Sequence, residues 1–165
     1  ILKRAGKQIM QKAEEKPSLL DMGTTATVAL VREKTVYWSH SGDSRLYRFR
    51  TGFLEQISND HTFVEDLVAE GTLSRQEADR HPLRNMLDQC VGCANLEAES
   101  GRFGLISGDR LLLCSDGLTR HLLDRHIQTA LEAGTPKQTA AVLIDQALCA
   151  GGKDNVTVVI IDIDA

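Results

Sequence analysis

Aromatic residues are scarce in this sequence, with four Phe, two Tyr and one Trp making up 4% of 165 residues. A surface that holds nucleic acid by stacking bases needs more of them. Positive charge is not in excess either. Nineteen Lys and Arg against 23 Asp and Glu leave a net charge of −4, which gives no footprint for a polyanion. No apolar run approaches the roughly 20 residues that cross a bilayer, and no signal peptide is visible. These absences argue against nucleic-acid binding and membrane insertion, and predict a soluble, cytoplasmic protein.

Cysteine is sparse as well, and its four residues do not form the pattern of a disulfide framework. Cys114 and Cys149 sit in apolar contexts and read as small buried hydrophobes. Cys90-Val91-Gly92-Cys93 is the one Cys-x-x-Cys; a structural zinc site wants a second pair at matching spacing, and there is none. A zinc or redox role for Cys90 and Cys93 is the minor alternative. An initiating methionine is missing too. Ile1, Leu2, Ala5, Ile9 and Met10 already line one helix face, with no capping residue ahead of them. The sequence predicts a chain entered partway through a helix, with an N-terminal portion missing.

What is present suffices for one domain spanning 1–165, since 42% of residues are hydrophobic and 25% charged. Residues 1–16 read as an amphipathic helix closed by Pro17. Strands follow at 22–31, 35–41, 45–50 and 53–57. Short turns join them, and a continuing hairpin runs through Gly42-Asp43-Ser44-Arg45, so the pairing is expected to be antiparallel. Thr62-Phe63-Val64-Glu65 and Ser74-Arg75-Gln76-Glu77 each read as a capping box opening a short helix. Together they make a polar flap insertion over about 60–85. Further strands are expected at 86–91, 96–105 and 110–115. A helix over 122–133 should turn Leu123, Ile127, Ala130 and Leu131 inward. Thr135-Pro136-Lys137-Gln138 caps a last helix running to about residue 150. The β-branched run 155–163 is expected to be a central strand covered on both faces. The fold class is α+β, mostly antiparallel strands covered by helices.

Three strand ends carry an acid beside a turn-forming residue. Leu111-Leu112-Leu113-Cys114-Ser115 stops at Asp116-Gly117. Gly152-Lys153-Asp154-Asn155 opens the last strand, and Gly42-Asp43 follows Tyr37-Trp38-Ser39-His40-Ser41. If the strand ends meet, Asp43, Asp116 and Asp154 meet, and clustered carboxylates suit Mg²⁺ or Mn²⁺. Each dipeptide alone is an ordinary turn; their order and placement give the metal reading its weight.

Gly23-Thr24-Thr25, Gly42-Asp43-Ser44-Arg45, Ser115-Asp116-Gly117-Leu118 and Asp154-Asn155-Val156-Thr157 resemble, in order and spacing, the motifs of PP2C-type (PPM) metal-dependent serine/threonine protein phosphatases. Arg50-Thr51-Gly52, Asp60-His61-Thr62 and the flap through His81-Pro82-Leu83-Arg84-Asn85 resemble the bacterial branch. The resemblance spans about residues 20–163. It implies a β-sandwich of two antiparallel sheets flanked by helices. It implies two Mn²⁺ or Mg²⁺ ions, with a third possible, bridged by a water or hydroxide that attacks phosphorus directly. It assigns Asp116 and Asp154 to one ion and Asp43 to a third, with Gly117 and Asn155 shaping turns and Ser44 and Arg45 bracing a loop. The family's bridging aspartate and phosphate-gripping arginine lie in a segment with no match here, so the chain resembles the C-terminal two-thirds of a phosphatase. The implied function is hydrolysis of phosphoserine and phosphothreonine in proteins, opposing a cognate kinase in bacterial signalling. A non-catalytic phosphatase-like binding module is the alternative, and a zinc protein on Cys90 and Cys93 a third. Of the histidines, His40 is expected to be a satisfied core or edge residue and His61 to support its loop rather than donate a proton. His81 should end the flap helix, and His121 and His126 should be solvated. Trp38 is expected to pack in the core.

Overall fold

The structure is a computed structural model that describes residues 1–152 and 154–164; Lys153, in the turn before Asp154, lies outside the described residues. In chain order the elements are α1 (Leu2–Glu15), β1 (Ala26–Arg32), β2 (Thr35–Ser41), β3 (Arg45–Arg50), β4 (Phe53–Gln56), α2 (Phe63–Ala69), α3 (Arg75–Arg80), β5 (Glu99–Gly104), β6 (Arg110–Cys114), α4 (Asp116–Thr119), α5 (Asp124–Leu131), α6 (Pro136–Cys149) and β7 (Val158–Asp162). The strands form two sheets, ordered β1-β2-β5 and β4-β3-β6-β7. With the helices beside them this is an α+β fold, as the sequence predicts. Among the described residues no helix is long and apolar enough to cross a membrane.

The chain divides into two compact units. The first is Ile1–Leu30, Tyr37–Asp43 and Asp60–Gly101; the second is Val31–Val36, Ser44–Asn59 and Arg102–Ala165. In the second, β3 pairs antiparallel with β4 and β6, and β6 with β7. One cross-strand row runs Tyr47–Leu112–Ile160. Tyr47 and Leu112 join Cys114, Leu118, Leu122, Ile127, Leu131, Leu143 and Ala147 in one apolar cluster. Leu46 and Leu111, pointing to the opposite face, are equally buried. That is why Leu111-Leu112-Leu113 reads as an unbroken apolar run rather than an alternating one. Each such leucine contributes about 1.5–3 kcal/mol by leaving water. α6 presents Thr139, Leu143 and Ala147 at four-residue intervals, and α5 presents Ile127 and Leu131. Thr135 and Gln138 form the expected capping box.

Several expectations are corrected. The segment after β2 is not a hairpin, because β2 and β3 belong to different sheets. Residues 86–91 form no strand; they hold isolated bridges, Thr62 with Leu87, Thr24 with Val91 and Val91 with Cys93. β7 is not central but ends its sheet among the described residues. It has β6 on one side only, and Val159 is half exposed. Leu123 is exposed at the N-cap of α5, and Leu122 takes the core place instead. Thr62 starts α2 without a side-chain cap, and the Glu65 carboxylate pairs with Arg75 rather than turning back toward Thr62. The box at Ser74 and Glu77 does form, and α3 stops at His81. Cys90 and Cys93 are joined in a disulfide with Cα atoms 5.2 Å apart. Cys114 is buried as expected, whereas Cys149 is exposed.

Candidate functional site

In the second unit the sequence builds a junction beyond the ends of β6 and β7. The ladder's last pair is Cys114 with Val158. Ser115 carries the pairing further, its N–H donating to the Thr157 carbonyl at 3.1 Å. Its hydroxyl donates to the Asn155 carbonyl at 3.2 Å and accepts from the Thr157 N–H at 3.0 Å. α4 then starts at once. Leu118, fully buried, plugs the apolar cluster below, and this fixes which way the short helix faces. Gly117 lies against the Asn155 carbonyl so closely that an added Cβ would sit 2.3 Å from that oxygen. No residue with a side chain fits there. Gly117 and Asn155 therefore do shape this junction.

Asp116 is the first residue of α4, and Arg120, one turn on, reaches back to its carboxylate. The same guanidinium lies 3.5 Å from the carboxylate of Asp154. Asp154 is held by its own turn, its Oδ1 accepting the Asn155 N–H at 2.8 Å. Two acids distant in sequence thus share one cation. Asp116 is 23% exposed, Arg120 35% and Asp154 52%, so the group opens to solvent. Two carboxylates against one guanidinium leave a surplus negative charge, and carboxylate oxygens are hard donors. This set fits Mn²⁺ or Mg²⁺ as part of a coordination sphere, with water and other oxygens supplying the remainder. Among the described residues no group of three or more His, Cys, Asp or Glu side chains is arranged to hold a metal ion.

Asp43 belongs to the first unit, half-buried at the end of β2. Gly42 before it has φ +115° and packs on Thr25, whose Cγ2 lies 2.4 Å from where a Cβ would be. Its carbonyl accepts the His61 N–H at 2.8 Å and His40 Nε2–H at 2.9 Å. Its own N–H donates to His61 Nδ1 at 3.4 Å. The two imidazoles lie 4.8 Å apart. His40 is fully buried, and Thr27 donates to its Nδ1 at 2.8 Å. Burial, with His61 beside it, pushes the His40 pKa down, against opposing pulls from the Gly42 carbonyl, Glu99 and Asp60. His40 is therefore a neutral clamp on the turn. His61 supports its loop, with Glu99 3.9 Å from its Nε2. Trp38 is half-buried over Gly101.

Arg45 hydrogen-bonds the Tyr47 hydroxyl at 2.8 Å and lies 3.9 Å from Asp124. The arginine that holds two of the acids is Arg120, which the motif reading missed. The signal was there: Asp116 and Arg120 stand four apart, a spacing that pairs charges on a helix. Ser115, beside Asp116 in the same motif, knits the two strand ends through its hydroxyl, a role that its place in the sequence does not reveal.

The protein phosphatase 2C family profile matches residues 2–67. The serine/threonine protein phosphatase PstP of Mycobacterium tuberculosis is 41% identical over 161 residues, a match covering 97% of this chain. The chain spans only 31% of that curated relative's length. Against the crystal structure of the M. tuberculosis phosphatase PstP/Ppp, the TM-score is 0.92 at 39% identity, covering 97% of this chain and 68% of that one. A structure of the PstP catalytic domain in complex with two manganese ions superposes with a TM-score of 0.88 at 38% identity, covering 97% and 67%. The ordered motifs, the two antiparallel sheets and these likenesses agree: the chain belongs to the protein phosphatase 2C family.

Proposed function

We propose that the protein of which this sequence is part hydrolyses phosphoserine and phosphothreonine in proteins, using Mn²⁺ or Mg²⁺. The reading rests on one observation above the rest, that Asp116 and Asp154 converge on a single cation at the end of an antiparallel sheet. Family membership and the manganese-bound relative support it. Residues 1–165 then form part of one phosphatase domain, with 60–85 as its flap. Its substrate is a phosphorylated protein in the cytoplasm, and its counterpart a cognate serine/threonine kinase.

Asp116 and Asp154 would hold one ion, and Asp43, on its clamped turn, a further one. Bound in such a site, a divalent ion neutralises phosphoryl charge and makes water a nucleophile near neutral pH. The chain's own residues prepare for this. Leu118 anchors α4 so that Asp116 is presented at the junction. Ser115 fixes the β6–β7 ends, so the separation of Asp116 and Asp154 is set by the sheet. Arg120 draws both carboxylates toward one point, the place an arriving ion would take from it.

The test is Mn²⁺-dependent release of phosphate from a phosphothreonine peptide by the complete protein, with Asp116→Ala alongside. We expect release that the substitution lowers by a hundredfold or more, on the order of 3 kcal/mol of transition-state stabilisation. Binding of the phosphopeptide without any release would replace this reading with that of a non-catalytic module.

A further inference from the structure

Cys90 and Cys93 line a cleft of about 420 Å³ in the first unit, together with Met10, Leu20 and Met22. Both cysteines are partly exposed. Bonding residues three apart closes a very short loop, so this disulfide removes little chain entropy and is a poor staple. What it does is shape a contact. The Cys90 sulfur occupies the space over Gly23, 2.6 Å from where a Cβ would stand. Val91, inside the ring, exchanges both backbone hydrogen bonds with Thr24, at 3.0 and 2.8 Å. Thr25, the next residue, packs its Cγ2 and Cβ onto Gly42, and Gly42 precedes Asp43. A continuous series of contacts thus runs from the two sulfurs to the turn that carries Asp43.

We propose that Cys90–Cys93 is a thiol–disulfide exchange site whose state is transmitted through the Thr24–Val91 pair to the Gly42–Asp43 turn. The reaction partners are a dithiol and a hydroperoxide. In reduction, a thiolate of the dithiol attacks one sulfur and the S–S bond breaks. The dithiol's second sulfur then resolves the mixed disulfide, giving two cysteine thiols and one oxidised dithiol, with two electrons transferred. In oxidation, one cysteine thiolate attacks the peroxide, breaking its O–O bond; one oxygen stays on sulfur as a sulfenic acid and the other leaves, taking up a proton, as the alcohol or water. The second thiol displaces water from it to remake the disulfide. Two unbonded thiols cannot sit at bonding distance. With Gly23 closing one side, a released sulfur moves into the cleft and carries the Val91 backbone with it.

The consequence for a metal at Asp43 rests on the function proposed above; the switch itself does not. The experiment is hydrogen exchange of backbone amides on this chain, carrying Cys149→Ser to prevent cross-linking. It compares the hydroperoxide-oxidised protein, the dithiothreitol-reduced protein and the Cys90→Ser/Cys93→Ser variant. We expect the Thr24 and Val91 amides to exchange about tenfold faster in the reduced protein and in the variant than in the oxidised one. The Gly42 and Asp43 amides should shift in the same two samples, and reoxidation should restore them. Unchanged exchange on reduction, or no disulfide formed with hydroperoxide, overturns the proposal. A Mn²⁺ titration on the same samples separates the two readings. Binding that weakens severalfold on reduction supports transmission as far as Asp43. Absence of Mn²⁺ binding in both forms counts against the metal reading, while the exchange data still decide the switch.

Discussion

Arg120 holds together two carboxylates that would otherwise repel one another across the β6–β7 junction. It also sits where a divalent ion would carry its charge, so arginine and metal compete. Replacing Arg120 by Ala should therefore tighten Mn²⁺ binding by about threefold to tenfold, as a like charge is removed from partly screened surroundings. The fold should lose no more than about 1 kcal/mol, because the pairing is open to solvent. Isothermal titration with urea denaturation checks both; weaker Mn²⁺ binding in the variant would mean that Arg120 prepares the acids instead of competing for them. His40 offers a second test. Its folded pKa lies below the ordinary value of 6.5, so as pH falls through about 6.5 the unfolded chain takes up a proton that the native imidazole refuses. Stability should be complete above that pH and decline below it, and His40→Asn should flatten the decline between pH 7.5 and 5.5. Asp109 acts in a lower window. Burial pushes its carboxyl up, but Arg50 and the Ile106 N–H outweigh that and hold it below 3.8, so its contribution is present above that pH and lost only in stronger acid.

The elements differ in how their ends are secured, and the sequence showed some of this. At α3 both halves of the capping box form, and Ser74→Ala should cost about 1 kcal/mol. At α2 the same four-residue pattern is present, but Glu65 is drawn to Arg75. A pattern four residues long cannot register a competitor ten positions away. Helices α1, α3 and α6 were legible because their caps, prolines and periodicity are local. α4 was not, being a single turn dictated by Leu118 in the core and Gly117 against Asn155. Gly117→Ala tests that account: with the Asn155 carbonyl 2.3 Å from the new Cβ, we expect a loss of about 2 kcal/mol or more. Mn²⁺ affinity should fall as well, since Asp116 moves with its helix. A variant of wild-type stability would show that the junction is looser than described.

At the scale of the molecule, strand positions were readable and sheet membership was not. The residues of β2 and β3 look like one hairpin because only Gly42, Asp43 and Ser44 separate them, yet β3 finds its partner in β6, some 60 residues on. Local chemistry carries no record of such a pairing. The β-branched run of β7 likewise suggested a central strand, whereas among the described residues its outer edge has no neighbour and Val159 is 49% exposed. An open apolar edge invites a second copy. Sedimentation velocity should show concentration-dependent association of this chain, and Val159→Lys should suppress it; a strictly monomeric chain would show that the edge is protected. The candidate acids were legible as strand-end residues, and the convergence of Asp116 and Asp154 on Arg120 was visible only in three dimensions. The most direct measurement of the central claim is Mn²⁺ titration of this 165-residue chain with Asp116→Ala and Asp154→Ala in parallel. Saturable binding is expected, weakened about tenfold or more by each substitution while the fold stays intact. Binding indifferent to both substitutions would contradict it.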